Sequence, residues 1–271
     1  MDFARKQTQS LSYFQLVLFI SMLILAQYKF FMFAFTILIC FILYMAIFTT
    51  KNRLFSWVML AYLVGNLLFL YGDRFIDELP FHTSTLMILS RGLLLIPIGF
   101  IMYITRKFNG EVMNYRFQSD WNAKIYFPFV WSGFHPLSIK AFLLVAVSIN
   151  LVVFSPFIFK ANISLNLSFL NFLILFSLIN AVLEEILWRG ILLTRMVELA
   201  GEKAAVLFSG IAFGLSHLAF GYSWLICLGF AFGGFFYAAI VVRSGSIIPA
   251  IIWHVVFNIL MILSGVIPYY G

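Results

Sequence analysis

Apolar residues in this chain fall in long unbroken blocks, not in the short periodic patterns of soluble helices and strands. A block of roughly 17–25 apolar residues can cross the hydrocarbon core of a bilayer as a helix. On that measure the sequence predicts nine spans, at about 11–27, 30–50, 54–71, 83–104, 141–159, 166–196, 203–220, 222–242 and 247–267. Only Tyr28 and Lys29 separate the first two, so the expected fold is an all-α, polytopic transmembrane helical bundle of about 8–9 spans. The one sizeable polar interval, 105–140, carries Asn109-Gly110, aromatic residues and a basic excess. It divides the chain into accessory helices over 1–104, a cytoplasmic loop over 105–140 and a functional core over 141–271. No internal repeat or low-complexity segment is evident.

Composition agrees with this reading. Of the 271 residues 63% are apolar and 10% are charged, against about 25% charged in ordinary soluble domains. The net charge of +7 reads as topology, not as affinity for nucleic acid. With the N-terminus inside, the inner side collects Arg5, Lys6, Lys51, Arg53, Arg106, Lys107, Arg116, Lys124, Lys140, Arg195, Lys203 and Arg243. The outer side holds Lys29, Arg74 and Lys160. This positive-inside bias predicts a cytoplasmic N-terminus and an outside C-terminus. The first apolar run has no small-residue cleavage site after it and is expected to be retained. Cys40 and Cys227 lie within expected spans as small apolar side chains, with no disulfide or redox role. Gly210 with Gly214, and Gly229 with Gly233 and Gly234, have the small-xxx-small spacing of close helix packing. Ser244-Gly245-Ser246 reads as a turn, with Pro249 in the first turn of the last helix.

Against this background a few polar positions stand out. Glu184 and Glu185 are adjacent inside an apolar stretch, where an ionised group costs about 2.5–3.5 kcal/mol on insertion scales. Two other apolar segments carry His217 and the pair His254 and Asn258. On a regular helix Glu184 lies roughly 16 Å above Arg195, His217 about 21 Å beyond Lys203 and His254 roughly 16 Å beyond Arg243. Three distant segments therefore bring polar groups to a similar depth. Residues four apart share a helix face, so Glu185 can pair with Arg189, Phe213 can wall a site beside His217, and His254 and Asn258 can aim donors at one point. Glu184 lies about 100° around its helix from Glu185 and is free to face a cavity.

A carboxylate and a histidine on neighbouring helices can hold and deprotonate a water. Donors from His254 and Asn258 can stabilise the oxyanion of a tetrahedral intermediate. Ser216 is expected on a different face, so water is the better nucleophile. The remaining polar residues invite quieter readings. Arg91, the main polar residue at depth in the first half, can reach a polar partner or an interior cavity but has no readable partner; His82 and His135 lie in loops, Asp73, Asp77 and Glu78 form a solvated acidic loop, and Glu198 with Glu202 marks an exposed helix end.

Glu184-Glu185-x-x-x-Arg189, Phe213-x-x-x-His217 and His254-x-x-x-Asn258, in this order and joined by Gly245-Ser246-Ile247-Ile248-Pro249, resemble the three motifs of the CPBP family. These are the Abi or CAAX-type intramembrane endopeptidases, which include the Rce1 prenyl-protein protease. The resemblance covers about 165–262. It implies a glutamate-type intramembrane protease in which Glu184 and His217 activate water, His254 and Asn258 form the oxyanion site, and Glu185, Arg189 and Phe213 support them. It implies no cofactor. Zinc stays open as a variant with Glu184, His217 and His254 as ligands, although no motif has the His-Glu-x-x-His arrangement of classical zinc proteases.

The expected partners are the lipid bilayer and a peptide or protein substrate: a signalling peptide, a bacteriocin or a CAAX-like protein. The compact chain is similar to the bacterial branch, which implies a bacterial plasma membrane. The alternative is a non-catalytic immunity or peptide-sequestering protein of the same fold. A transporter with a carboxylate proton relay is the third reading, and it lacks the repeat or broken-helix pair such proteins show.

Overall fold

The computed structural model describes residues 2–45, 50–115, 117–161 and 166–270. Arg116 and the end of the second expected span lie outside the described residues, as do the side chains of Arg5 and Lys6. The elements are α1 (Asp2–Gln27), α2 (Phe31–Met45), α3 (Thr50–Asp77), α4 (Thr83–Gly92), α5 (Leu95–Lys107), β1 (Lys124–Pro128), β2 (Gly133–Ser138) and α6 (Ile139–Lys160). They continue with α7 (Leu167–Glu185), α8 (Leu193–Ala200), α9 (Glu202–Ser216), α10 (Trp224–Ser244) and α11 (Ile248–Leu263). Among the described residues seven continuous helical stretches are long and apolar enough to cross a membrane, and two shorter apolar helices, Phe31–Tyr44 and Ile248–Leu263, accompany them. The chain is an all-α, multi-pass membrane protein, as its apolar blocks predict.

Local signals set the helix ends. Asn166 accepts a hydrogen bond from the Phe169 amide at 2.8 Å, and Ser138 and Ser223 cap α6 and α10 in the same manner. These caps satisfy amides that the first turn leaves unpaired. Gly245, at φ +68°, closes α10 in the left-handed region that only glycine enters freely. Pro249 occupies the first turn of α11, as expected.

Four local features depart from regular expectation. The single span expected over 83–104 is two helices, α4 and α5, jointed at Leu93 and Leu94. Pro97 has no amide to donate back to the joint, and it packs so closely on α3 that a Cβ at Gly65 would sit 2.5 Å from its Cα. Downstream of Glu185 the helix widens into a π segment, Ile186–Leu192, before α8 resumes the α spacing. At its other end α9 tightens into a 3-10 turn at His217–Phe220.

The fourth departure is 105–140. The expected loop contains an antiparallel hairpin pairing Lys124 with Ser138 and Phe127 with His135, with an irregularity after Phe127. Two prolines and weak alternation hide these strands from a reading by pattern. The interval is pinned to the helices behind it. Arg243 Nε donates to the Lys124 carbonyl at 2.7 Å, the Asp120 amide donates to the Ser244 carbonyl at 3.0 Å, and Trp131 Nε1 donates to Glu202 at 3.1 Å. Arg195 donates to the Glu111 carbonyl and pairs with Glu198. Glu198 and Glu202, expected at an exposed helix end, thus take part in holding this segment.

The apolar core runs through both halves of the chain. Phe19 and Phe55 pack edge to face, Tyr62 stacks edgewise on Trp188 at 5.7 Å, and Trp188 does the same on Phe213 at 5.8 Å. The first half also buries polar groups, Gln15, Asn52 and Ser56 among them. Gln15 donates to Ser56 Oγ at 3.0 Å and to the Asn52 carbonyl at 2.9 Å, and Asn52 returns a bond to Gln15 at 2.6 Å. Such paired amides satisfy one another between membrane helices. In the second half α9 and α10 form the closest seam. A Cβ at Gly210 would lie 2.6 Å from the Phe235 amide, Gly214 is pressed against Ala231 and the Cys227 carbonyl, and Gly234 against Phe213. Gly229 and Gly233 differ from expectation: they have open space in front of them and line a cavity instead of packing a helix.

Candidate active site

The site is assembled from α7, the end of α9, α10 and α11. On α7, Asn180 and Glu184 lie one turn apart, are both buried at 6% exposure, and line a cavity of about 950 Å³. Glu185 is fully buried and turned away from that cavity, as its 100° offset predicts. One of its oxygens does double duty. Arg189 Nη1 pairs with Glu185 Oε1 at 2.9 Å, and His254 Nδ1 donates to the same atom at 2.8 Å.

Arg189 is wholly buried, so its charge needs this carboxylate. It also donates to the Gly234 carbonyl at 3.3 Å, and its guanidinium lies 4.1 Å from the Phe213 ring centroid and 5.1 Å from that of Tyr237. Phe213 is therefore more than a wall. It takes the cation on its face and stands 4.9 Å from the His217 ring.

The 3-10 turn explains how His217 is oriented. Its amide bonds back three residues to Gly214 instead of four to Phe213, which leaves the Phe213 carbonyl open at the helix end. His217 Nδ1–H takes that carbonyl at 2.8 Å, and Ser216 Oγ donates to it at 2.7 Å. A carbonyl only accepts, so the proton of neutral His217 sits on Nδ1 and Nε2 is left as an acceptor. Phe230 covers the ring at 4.5 Å.

His254 is held in the opposite sense. Its Nδ1 is committed to Glu185, Tyr237 stacks on it at 5.3 Å, and Nε2 lies 3.6 Å from Glu184 Oε2. Asn258, one turn on, is 3% exposed and reaches the Ser177 carbonyl at 3.5 Å. Glu184, His217, His254 and Asn258 all line the same cavity, with Phe213 beside them. The six polar motif residues and Phe213 are thus brought into one cluster, with Glu185 and Arg189 behind the wall. Among the described residues no three His, Cys, Asp or Glu side chains are grouped as a metal site would require.

Several contributors escape a reading of the sequence. Asn180 lies four residues before Glu184 on the same face, and that spacing is a usable signal. Tyr237, which cradles both His254 and Arg189, is one aromatic among 52 Phe, Tyr and Trp residues and carries no such mark. Arg91 lines the cavity, as do Asp73, assigned to a solvated loop, and His135, assigned to a loop. Their proximity depends on how the two halves meet, which local pattern does not encode.

A multi-pass helical bundle with a carboxylate, two histidines and an asparagine on the wall of an internal cavity defines a membrane-embedded site of polar chemistry. Residues 166–260 match the family described as type II CAAX prenyl endopeptidase, Rce1-like, and over that stretch the chain is similar to that family, as its three motifs imply. The matched stretch contains all seven motif residues and ends short of α1–α6. No curated protein and no solved structure matches the chain.

Proposed function

We propose that this protein is an intramembrane endopeptidase that hydrolyses a peptide bond of a membrane-associated peptide or protein. The observation that carries the reading is the convergence of Glu184, His217, His254 and Asn258 on one cavity. Its walls are otherwise largely apolar, as suits an apolar peptide segment. Glu184, with His217 Nε2 as a second acceptor, takes a proton from water as the water oxygen adds to the peptide carbonyl carbon. His254 Nε2–H, when that nitrogen is protonated, and Asn258 Nδ2 donate to the resulting oxyanion. Collapse breaks the C–N bond, and the proton held by Glu184 passes to the leaving nitrogen, so one water is consumed and an acid and an amine are released. Glu185 and Arg189 fix His254 and act through it.

The positive-inside count supports a cytoplasmic N-terminus, and with it a cytoplasmic position for the hairpin of 124–138. The proposed setting is a bacterial plasma membrane, with a signalling peptide, a bacteriocin or a CAAX-like protein as substrate. Residues 1–104 are proposed as the accessory part and 141–271 as the catalytic part.

The test compares new peptide termini in membrane and secreted fractions from cells carrying wild type or Glu184→Gln at matched abundance. Termini that appear only with the wild type support proteolysis and identify the substrate. Identical termini, with the phenotype kept in the mutant, sink it in favour of sequestration or immunity. Activity is expected to survive a strong zinc chelator, and loss restored by added zinc would overturn the metal-free mechanism.

A further inference from the structure

Sharing Glu184, Arg91 and Phe220 with the large cavity is a second, small one of about 40 Å³. Its lining comes largely from the first half: Gln27 of α1, Tyr62 and Asn66 of α3, and Arg91 of α4, with Glu184 and Trp188 opposite. Glu184 and Arg91 line both cavities and so stand between them. Three of these residues each carry a buried polar atom that makes no hydrogen bond among the described residues: Gln27 Oε1, Arg91 Nε and Glu184 Oε2, the last with His254 Nε2 at 3.6 Å. Buried polar groups are rarely left unmade in native proteins. A buried water needs roughly 10–15 Å³ of such space and two to four polar partners. The three orphans are one donor and two acceptors, the complement of a water that accepts once and donates twice.

Arg91 is fixed for this role. Its Nη2 donates to Ser90 Oγ at 3.3 Å, Ser90 in turn donates to Asp73, and the guanidinium lies 4.9 Å from the Phe220 ring centroid and 5.9 Å from that of Phe69. Among the described residues no carboxylate comes within 4 Å of it. The serine and the two rings orient the group and leave Nε without a hydrogen bond in a residue that lines the small cavity.

We propose that this chamber is a built water site that supplies Glu184 while an apolar peptide fills the large cavity, and that Arg91 is a positioning residue for that water. The proposal rests on the hydrolytic reading above. It assigns the first half, which lies outside the Rce1-like stretch, a part in the chemistry. An enzyme whose substrate displaces solvent from its own cavity needs a second route by which water reaches the base, and Glu184 lines this chamber as well as the large cavity.

The first readout needs no substrate. Brief X-ray radiolysis labels side chains beside ordered internal water. In the full-length protein in detergent, Tyr62 and Trp188, both buried at 4% and 3% exposure, line the chamber. They should label several-fold faster, after correction for intrinsic reactivity, than Phe19 and Phe55, which are buried elsewhere. Asn66→Leu, which fills the chamber, should abolish that excess. Tyr62 and Trp188 as silent as Phe19 and Phe55 overturn the proposal.

The second readout uses a fluorogenic peptide built on the cleavage sequence that the terminus comparison defines. Asn66→Leu and Arg91→Met should each lower kcat by about tenfold or more with KM unchanged, and Arg91→Lys should restore part of the loss. Unchanged kcat in both variants, with Glu184→Gln inactive, overturns the chamber while leaving the hydrolytic reading intact. An active Glu184→Gln overturns the hydrolytic reading itself. Should Arg91→Met fail to fold, Asn66→Leu decides, and should both fail, the labelling of the wild type decides.

Discussion

Adjacent glutamates in this chain divide the work between them because of where the helix turns them. Glu185 holds the charge of a wholly buried arginine and the Nδ1 proton of His254 with a single oxygen. Removing it leaves Arg189 uncompensated in the interior, which costs about 3–5 kcal/mol for a buried pair. Glu185→Ala is therefore expected to lower the thermal midpoint strongly and to lose activity through misfolding. Glu184→Gln, at the cavity wall with no hydrogen bond to Oε2 and only a 3.6 Å contact to His254, should leave the midpoint within a few degrees of wild type while turnover stops. Tryptophan fluorescence melting in detergent, run beside the terminus comparison, separates the two, and equal destabilisation by both changes would contradict this division. Much of this was legible beforehand. The i,i+4 spacing predicts the Glu185–Arg189 pair, and the 100° offset predicts which glutamate meets the cavity. What spacing alone does not contain is the third partner. His254 lies 69 residues from Glu185, and its Nδ1 bond to that carboxylate depends on how α11 packs against α7.

The two irregular turns matter more at the scale of elements than the regular helices around them. The 3-10 turn frees the Phe213 carbonyl to orient His217, and the π segment follows directly on the two glutamates. Neither was readable, because a one-residue change in helical register leaves the apolar pattern of a membrane span almost intact. The glycines give a sharper test of what the spacing rule captured. Gly214 is closed in by backbone and by Ala231, whereas Gly229 and Gly233 face open space, although all three share the same motif. Gly214→Leu should part α9 from α10, cost about 1–3 kcal/mol or more and displace His217. Gly229→Ala and Gly233→Ala should leave the melting midpoint unchanged. A Gly214→Leu protein that melts and turns over like wild type would contradict the seam described here.

Across the whole molecule the halves share one interior. Phe19, Tyr62 and Trp188 pack in a continuous aromatic chain that reaches Phe213 at the site. Residues 141–271 made alone would expose Trp188 and one wall of the small cavity, so they should yield little folded protein, and co-expression of 1–140 should rescue it. Folded, active 141–271 on its own would show that the shared interior is dispensable. The helical membrane architecture, and the span count only roughly, could be read from apolar block length, since every backbone group in a bilayer must be satisfied within its own segment; among the described residues seven helical stretches are long enough to cross, where the apolar blocks predict nine spans. The hairpin and the partners of Arg91 could not, for they depend on contacts between distant parts of the chain.

The large cavity has a bearing on selective chemistry. The wall proposed as catalytic belongs to the stretch that matches the Rce1-like family, but Met87, Arg91, Phe127 and His135 come from outside that stretch. An inhibitor that grips only the Glu184 and His217 end would act across the family. One extended to touch Arg91 or His135 would draw its preference from residues that belong to this chain's own architecture. At about 950 Å³ the space is ample for a single drug-sized molecule to do both.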